Sequence, residues 1–178
     1  MKTIYSTVRG ASMKYVKIEW ESELDTGIGV IDRQHREFIR LVNTLLDSSI
    51  KSEDNEIILD SFSFLRYYIV EHFSMEESAM RAYDYPQYGM HKNIHDSFRK
   101  EIEGMDMALK MNKSPHETAI KLNYVIVNWF VNHIKVEDHR LCKFLEARAA
   151  EKHEVLSDKL NTIVSSFFRS SPAFSTLQ

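Results

Sequence analysis

Apolar residues recur at spacings of three and four through four long segments, and the residues that break helices stand mostly at the segment edges. With only five glycines and three prolines in 178 residues, the chain has the punctuation of a helical protein. Gly27 and Gly29 precede the first segment, which should run from about Val30 to Ser48 on a stripe of Ile31, Phe38, Ile39, Val42, Leu45 and Leu46. The second should run from about Ser52, read as its N-cap, to Ala82, and the third from roughly Tyr88 to Met111. Ser114, Pro115 and Glu117 read as an N-cap, a first-turn proline and a capping-box carboxylate, so a fourth helix opens there and should reach the neighbourhood of Arg148. Helices of about 20 to 30 residues are roughly 30 to 45 Å long, and short turns between them specify an all-α, up-down-up-down four-helix bundle.

Three regions follow. Residues 1–19 read as an N-terminal extended arm, with a weak strand-like alternation at Tyr15, Val16, Lys17 and Ile18. Residues 20–148 hold the bundle. Residues 149–178 read as a C-terminal amphipathic helix and a flexible tail, the helix striped by Val155, Leu156, Leu160, Ile163, Val164, Phe167 and Phe168. Residues 155–168 should therefore pack on the bundle, on a second copy or on a partner. A net charge of −3 gives no footprint for nucleic acid. The longest apolar run, residues 124–131, is too short for a membrane span, and the N-terminus has no signal-peptide core, so a cytoplasmic protein is expected. Cys142 stands alone, without an intrachain disulfide partner, and reads as a small hydrophobe on a helix.

The chemistry lies in the histidines. In VEHFSMEESAM, His72 and Glu76 stand one turn apart among apolar neighbours, where polar groups are costly unless hydrogen-bonded, paired or bound to metal. His91 and His95 repeat the four-residue spacing, His35 lies on the apolar stripe of the first helix, and His133 follows Trp129 and Phe130 in the fourth. Imidazoles and carboxylates together suit iron, manganese or zinc, and more than four such ligands exceed what one tetrahedral zinc needs. His116, His139 and His153 read as solvated surface residues.

The order GIGVIDRQH with His35, HFSMEE with His72 and Glu76, YPQYGMHKNIH with His91 and His95, and WFVNHIKVED with His133 and Asp138 resembles the hemerythrin family over about residues 18–140. The resemblance implies two iron ions with an oxo or hydroxo bridge. His91, His95 and His133 would hold one iron, His35 and His72 the other, and Glu76 and Asp138 would bridge them. It also implies reversible O2 binding at the open position of the second iron and no enzyme activity, the alternatives being sensing of O2, redox state or nitric oxide, or a di-iron peroxidase or reductase. Phe38, Phe73, Trp129, Phe130 and Ile134 would wall the O2 pocket, although the family commonly has leucine where this chain has Phe130. At Asp138 two arguments part. Plain helical spacing from His133 nominates Glu137, whereas the resemblance nominates Asp138, which is the residue expected here.

Overall fold

The computed structural model describes residues 4–8, 11–51, 55–111 and 115–167. It opens with an antiparallel two-stranded ribbon of β1 (Ile4–Val8) and β2 (Ala11–Lys17), in which Ile4 lies opposite Lys17 and Tyr5 opposite Val16. The arm expected to be extended is therefore extended but paired with itself. Asn43 ties it down, accepting from Ile18 N at 3.1 Å and donating to Ile18 O at 2.9 Å.

Helices α1 (Gly29–Lys51), α2 (Asn55–Ala82) and α3 (Tyr88–Met111) are followed by a fourth rod. That rod consists of α4 (Pro115–His133), a π-helical turn (Ile134–Asp138) and α5 (His139–Glu151). Helices consecutive in sequence pack on one another and α4 closes on α1, which completes the expected four-helix bundle. The caps expected at Ser52 and Ser114, the side chain of His116 and everything from Phe168 onward lie outside what the structure describes.

Local chemistry sets the ends. Before α1, the backbone N and the hydroxyl of Thr26 both donate to Asp32 Oδ1, at 2.9 and 2.8 Å. Gly27 takes φ +88 there, and a Cβ would meet Glu146 Oε1 at 3.3 Å. Beyond α2, Asp84 adopts φ 55 and Tyr85 N reaches back to Met80 O at 2.8 Å. After α5, His153 adopts φ 54 and Glu154 N reaches Ala149 O at 3.0 Å. Both stops use the left-handed residue of a Schellman-type ending, filled by Asp and His, which tolerate it better than most.

The interior divides into two apolar clusters. One joins Phe38, Leu45, Leu65, Phe73, Phe98 and Phe130; the other joins Ile31, Met75, Met80, Leu141, Leu145 and Leu160. Along every rod the boundary between them falls at the histidines. A sixth helix, α6 (Leu156–Phe167), seals the second cluster by burying Leu160 completely and packing Leu156, Ile163, Val164 and Phe167 partly against it. Tyr83 donates to Glu154 Oε2 at 2.9 Å and fixes the preceding turn. Leu160→Ala should lower stability by about 2 to 5 kcal/mol in denaturant titration, the range for truncating a buried leucine. Metal uptake should stay unchanged, because α6 carries no histidine.

Candidate metal centre

Each rod delivers its polar groups from within an apolar stripe. His35 sits between the buried Ile31 and Phe38 on α1, His72 and Glu76 share one face of α2, and His91 and His95 share one face of α3. The fourth rod delivers His133 at the end of α4 and Asp138 at the end of the π turn. All seven are at most 4% exposed.

The π turn explains how Asp138 joins them. In a regular α-helix a residue five positions on lies about 140° away around the axis, whereas i→i+5 bonding brings it back over the first. Asp138 Oδ1 accordingly stands 3.1 Å from His133 Nε2. Glu137 instead turns outward and pairs with Arg140 at 2.7 Å.

The atoms converge in two groups. His133 Nε2 lies 3.1 Å from both His91 Nε2 and His95 Nε2, which places three ring nitrogens around one point. His35 and His72 form the other group with Glu76 and Asp138. Each carboxylate divides its oxygens between the groups. Glu76 Oε1 faces His72 at 3.4 Å and His35 at 3.9 Å, while Oε2 faces His95 at 3.3 Å and His91 at 3.9 Å. Asp138 Oδ2 faces His35 at 3.2 Å, while Oδ1 faces His133 and, at 3.4 Å, His91.

Such a cluster makes poor sense without a cation. Both Glu76 oxygens and His72 Nε2 are buried with no hydrogen-bond partner among the described residues, a state that is destabilising unless something else satisfies them. Burial pushes the Glu76 carboxyl well above the ordinary carboxylate range, and Asp138 beside it adds to the shift. For Asp138 burial pulls the same way, yet the imidazoles of His133, His35 and His91 hold it well below its usual value. Burial, and then the neighbouring His35, keep His72 well below the ordinary imidazole value; burial and His133 do the same to His95. Neutral imidazoles and an anionic carboxylate are the forms that bind metal.

Behind the ring nitrogens stand residues that reading the sequence missed. Gln34 Oε1 accepts from His72 Nδ1 at 3.0 Å, which fixes the tautomer that turns Nε2 inward, and Tyr68 OH donates to Gln34 O at 3.0 Å. Glu77 Oε1 does the same for His95 Nδ1 at 3.1 Å and is itself held by Arg99 at 2.8 Å. Both neighbour a candidate ligand in sequence, and that adjacency was the available signal. His139, expected to be solvated, lends Nε2 to Asp25 O at 3.0 Å and ties the fourth rod to the loop before α1.

The expected pocket walls divide between the two groups. Phe130 packs on Phe38 at 3.8 Å and presents an edge to His35 at 5.5 Å. Phe73 stacks on His95 at 3.9 Å and Trp129 on His133 at 4.5 Å, so these two line the three-imidazole side. Ile134 is fully buried at the start of the π turn.

A helical bundle that turns five imidazoles and two carboxylates onto one dry centre is, by class, a metal-binding protein. The Hemerythrin HHE cation binding domain matches residues 26–145, and the chain belongs to the hemerythrin family. It is 26% identical over 140 residues to Bacteriohemerythrin of Pseudomonas aeruginosa strain LESB58, covering 79% of this chain and 87% of that one. To Bacteriohemerythrin of Aquifex aeolicus it is 33% identical over 106 residues, covering 58% of this chain and 79% of the relative. A crystal structure of wild-type hemerythrin superposes with a TM-score of 0.62 at 26% identity, over 68% of this chain and 92% of that one. Among the described residues no helix is long and apolar enough to cross a membrane.

Proposed function

We propose that the chain binds O2 reversibly at a non-heme, carboxylate-bridged di-iron centre, as a carrier, store or delivery protein rather than an enzyme. One observation carries this reading: Glu76 and Asp138 each turn one oxygen toward His35 and His72 and the other toward the three-imidazole group. That is the disposition of bridging carboxylates between two ions. His91, His95 and His133 would hold one iron and His35 and His72 the other. The ligand count, with a solvent-derived bridge, leaves a position open only on the second.

Bound iron would supply the redox chemistry and that open position. The chain's own residues do the rest. Phe38 and Phe130 are buried beside His35 and keep water, and with it protons, away from that side of the site. Gln34 holds the His72 ring in place, and Glu77 is engaged by His95 Nδ1 and Arg99 on the far side of the three-imidazole group. Among the described residues, the aromatic rings that face His35, those of Phe130 and Trp20, carry no acidic group.

The test is the visible spectrum of iron-loaded, reduced protein before and after air, with metal analysis. About two irons per chain are expected, as in carboxylate-rich bundle sites, with colour that appears in O2 and fades when O2 is removed without added reductant. Phe130→Leu should change the rate of O2 release or autoxidation while leaving the iron content intact. One zinc per chain, or no response to air, would overturn the reading; hydrogen peroxide released on every cycle would make the protein an enzyme.

A further inference from the structure

We propose that Trp129 is the port through which electrons reach the metal centre from a one-electron donor in solution, an inference that rests on the di-iron reading. A ferrous pair that meets O2 will at times be left ferric, and a ferric pair has no electrons to share with O2. Restoring it requires one electron per ferric ion. The centre is walled by two apolar clusters, so the question is where an electron crosses them.

The aromatic contacts answer it. The indole of Trp129 lies 4.5 Å from the His133 ring at an interplanar angle of 12°, and its stack continues onto Phe98 at 3.7 Å and 7°. Phe73, stacked on His95 at 3.9 Å and 3°, stands 5.6 Å from the same indole. Trp129 is only partly buried, so one side chain spans from solvent to a candidate iron ligand at the seam of α3 and α4. Electron tunnelling weakens steeply with the gap between orbitals, and near-parallel rings in van der Waals contact leave the smallest gap that side chains can offer.

The chain's other indole gives the comparison. Trp20 lies 6.5 Å from His35 at 29°, and the Arg36 guanidinium sits 4.3 Å over its ring. It is farther from its imidazole, less parallel to it and covered by a cation. In the proposed step the donor loses one electron, one ferric ion becomes ferrous, and no bond to Trp129 forms or breaks. The indole is neither oxidised nor reduced; its π system only shortens the gap. Two such events restore the pair.

Iron-loaded, diferric protein mixed anaerobically with dithionite, whose dissociated radical anion donates single electrons, tests this through the decay of the visible band. Trp129→Leu should be reduced several-fold more slowly than the parent at equal iron content, Trp129→Phe should keep most of the rate, and Trp20→Leu should match the parent. Equal rates for Trp129→Leu and the parent, or an equal loss in Trp20→Leu, would refute the port while leaving the di-iron reading standing. A parent chain with no iron and no visible band would refute both. Where Trp129→Leu loads poorly, indole emission decides instead. Cobalt(II) added to metal-free protein should quench Trp20→Phe, which retains Trp129 alone, more than Trp129→Phe, and the reverse order overturns the proposal.

Discussion

Asp138→Asn should strip the protein of most of its iron and abolish the coloured oxygenated form, while Glu137→Gln should leave both nearly unchanged. The two residues are adjacent, and a regular helix would rank them the other way. The π turn reverses the ranking: it buries Asp138 completely between His35, His91 and His133, and leaves Glu137 in an outward pair with Arg140. Asparagine keeps the shape of the side chain but removes the negative charge and one of the two oxygens that reach the separate groups. Loss of an outer partner of a metal ligand already weakens binding by about 10- to 100-fold, and loss of the proposed bridge should exceed that. A pair such as Glu137 with Arg140, half of it exposed to solvent, is worth on the order of 1 kcal/mol to the fold. Metal analysis and the visible band measure both variants. Iron loss in Glu137→Gln with Asp138→Asn intact would show that the bridge had been assigned to the wrong carboxylate.

Removing the metal should lower the melting temperature strongly, and acid should lower it further. A ligand present at a thousandfold excess over its Kd stabilises by about 4 kcal/mol, which for a chain of this size is roughly 8 to 16 °C. The pH dependence of the metal-free protein follows from the buried groups. His72 and His95 are held below the ordinary imidazole value of 6.5, so below that pH the unfolded chain takes up protons that the fold refuses. Stability falls with pH in that window. Glu76 acts in the opposite sense: its raised pKa makes the fold lose stability as pH rises above the ordinary carboxyl value of 4.5. Asp138, held below 3.8, contributes stability that is lost only at lower pH. Between 6.5 and 4.5 the two deeply buried imidazoles oppose the buried Glu76 and the more exposed Glu71, whose carboxyl burial also raises; the imidazoles are expected to prevail, so metal-free protein should melt lower at pH 5 than at pH 7. Calorimetry of chelated and iron-loaded samples at both values checks this. A metal-free protein that melts higher at pH 5 would mean that Glu76 dominates the balance.

Much of this is legible in the sequence alone. Helical periodicity outlined the four rods, and the spacing within HFSMEE and HKNIH placed two pairs of ligand candidates on shared faces. Asp138 was not legible from periodicity, because its position depends on a break in the period that no glycine or proline announces. Gln34 and Glu77 stayed hidden for another reason. Their partners, the Nδ1 atoms of His72 and His95, lie on other helices, so beyond adjacency to a candidate ligand these contacts leave no trace in local spacing. The ribbon of residues 4–8 and 11–17 was half legible: Tyr15 to Ile18 alternate, but the strand opposite them shows no such pattern.

The histidine layer between the two apolar clusters also bears on how the chain folds. Neither cluster reaches the other except across a stratum of imidazoles and carboxylates that prefer water while they lack a cation. Each half of the bundle can therefore collapse on its own hydrophobic contacts, and on the di-iron reading two bound ions between them would make the halves melt as one. Bound iron would then set the cooperativity of the molecule as well as its chemistry. Loaded protein should unfold in a single transition and chelated protein in two, the half sealed by α6 opening independently of the half that contains Phe98 and Leu65.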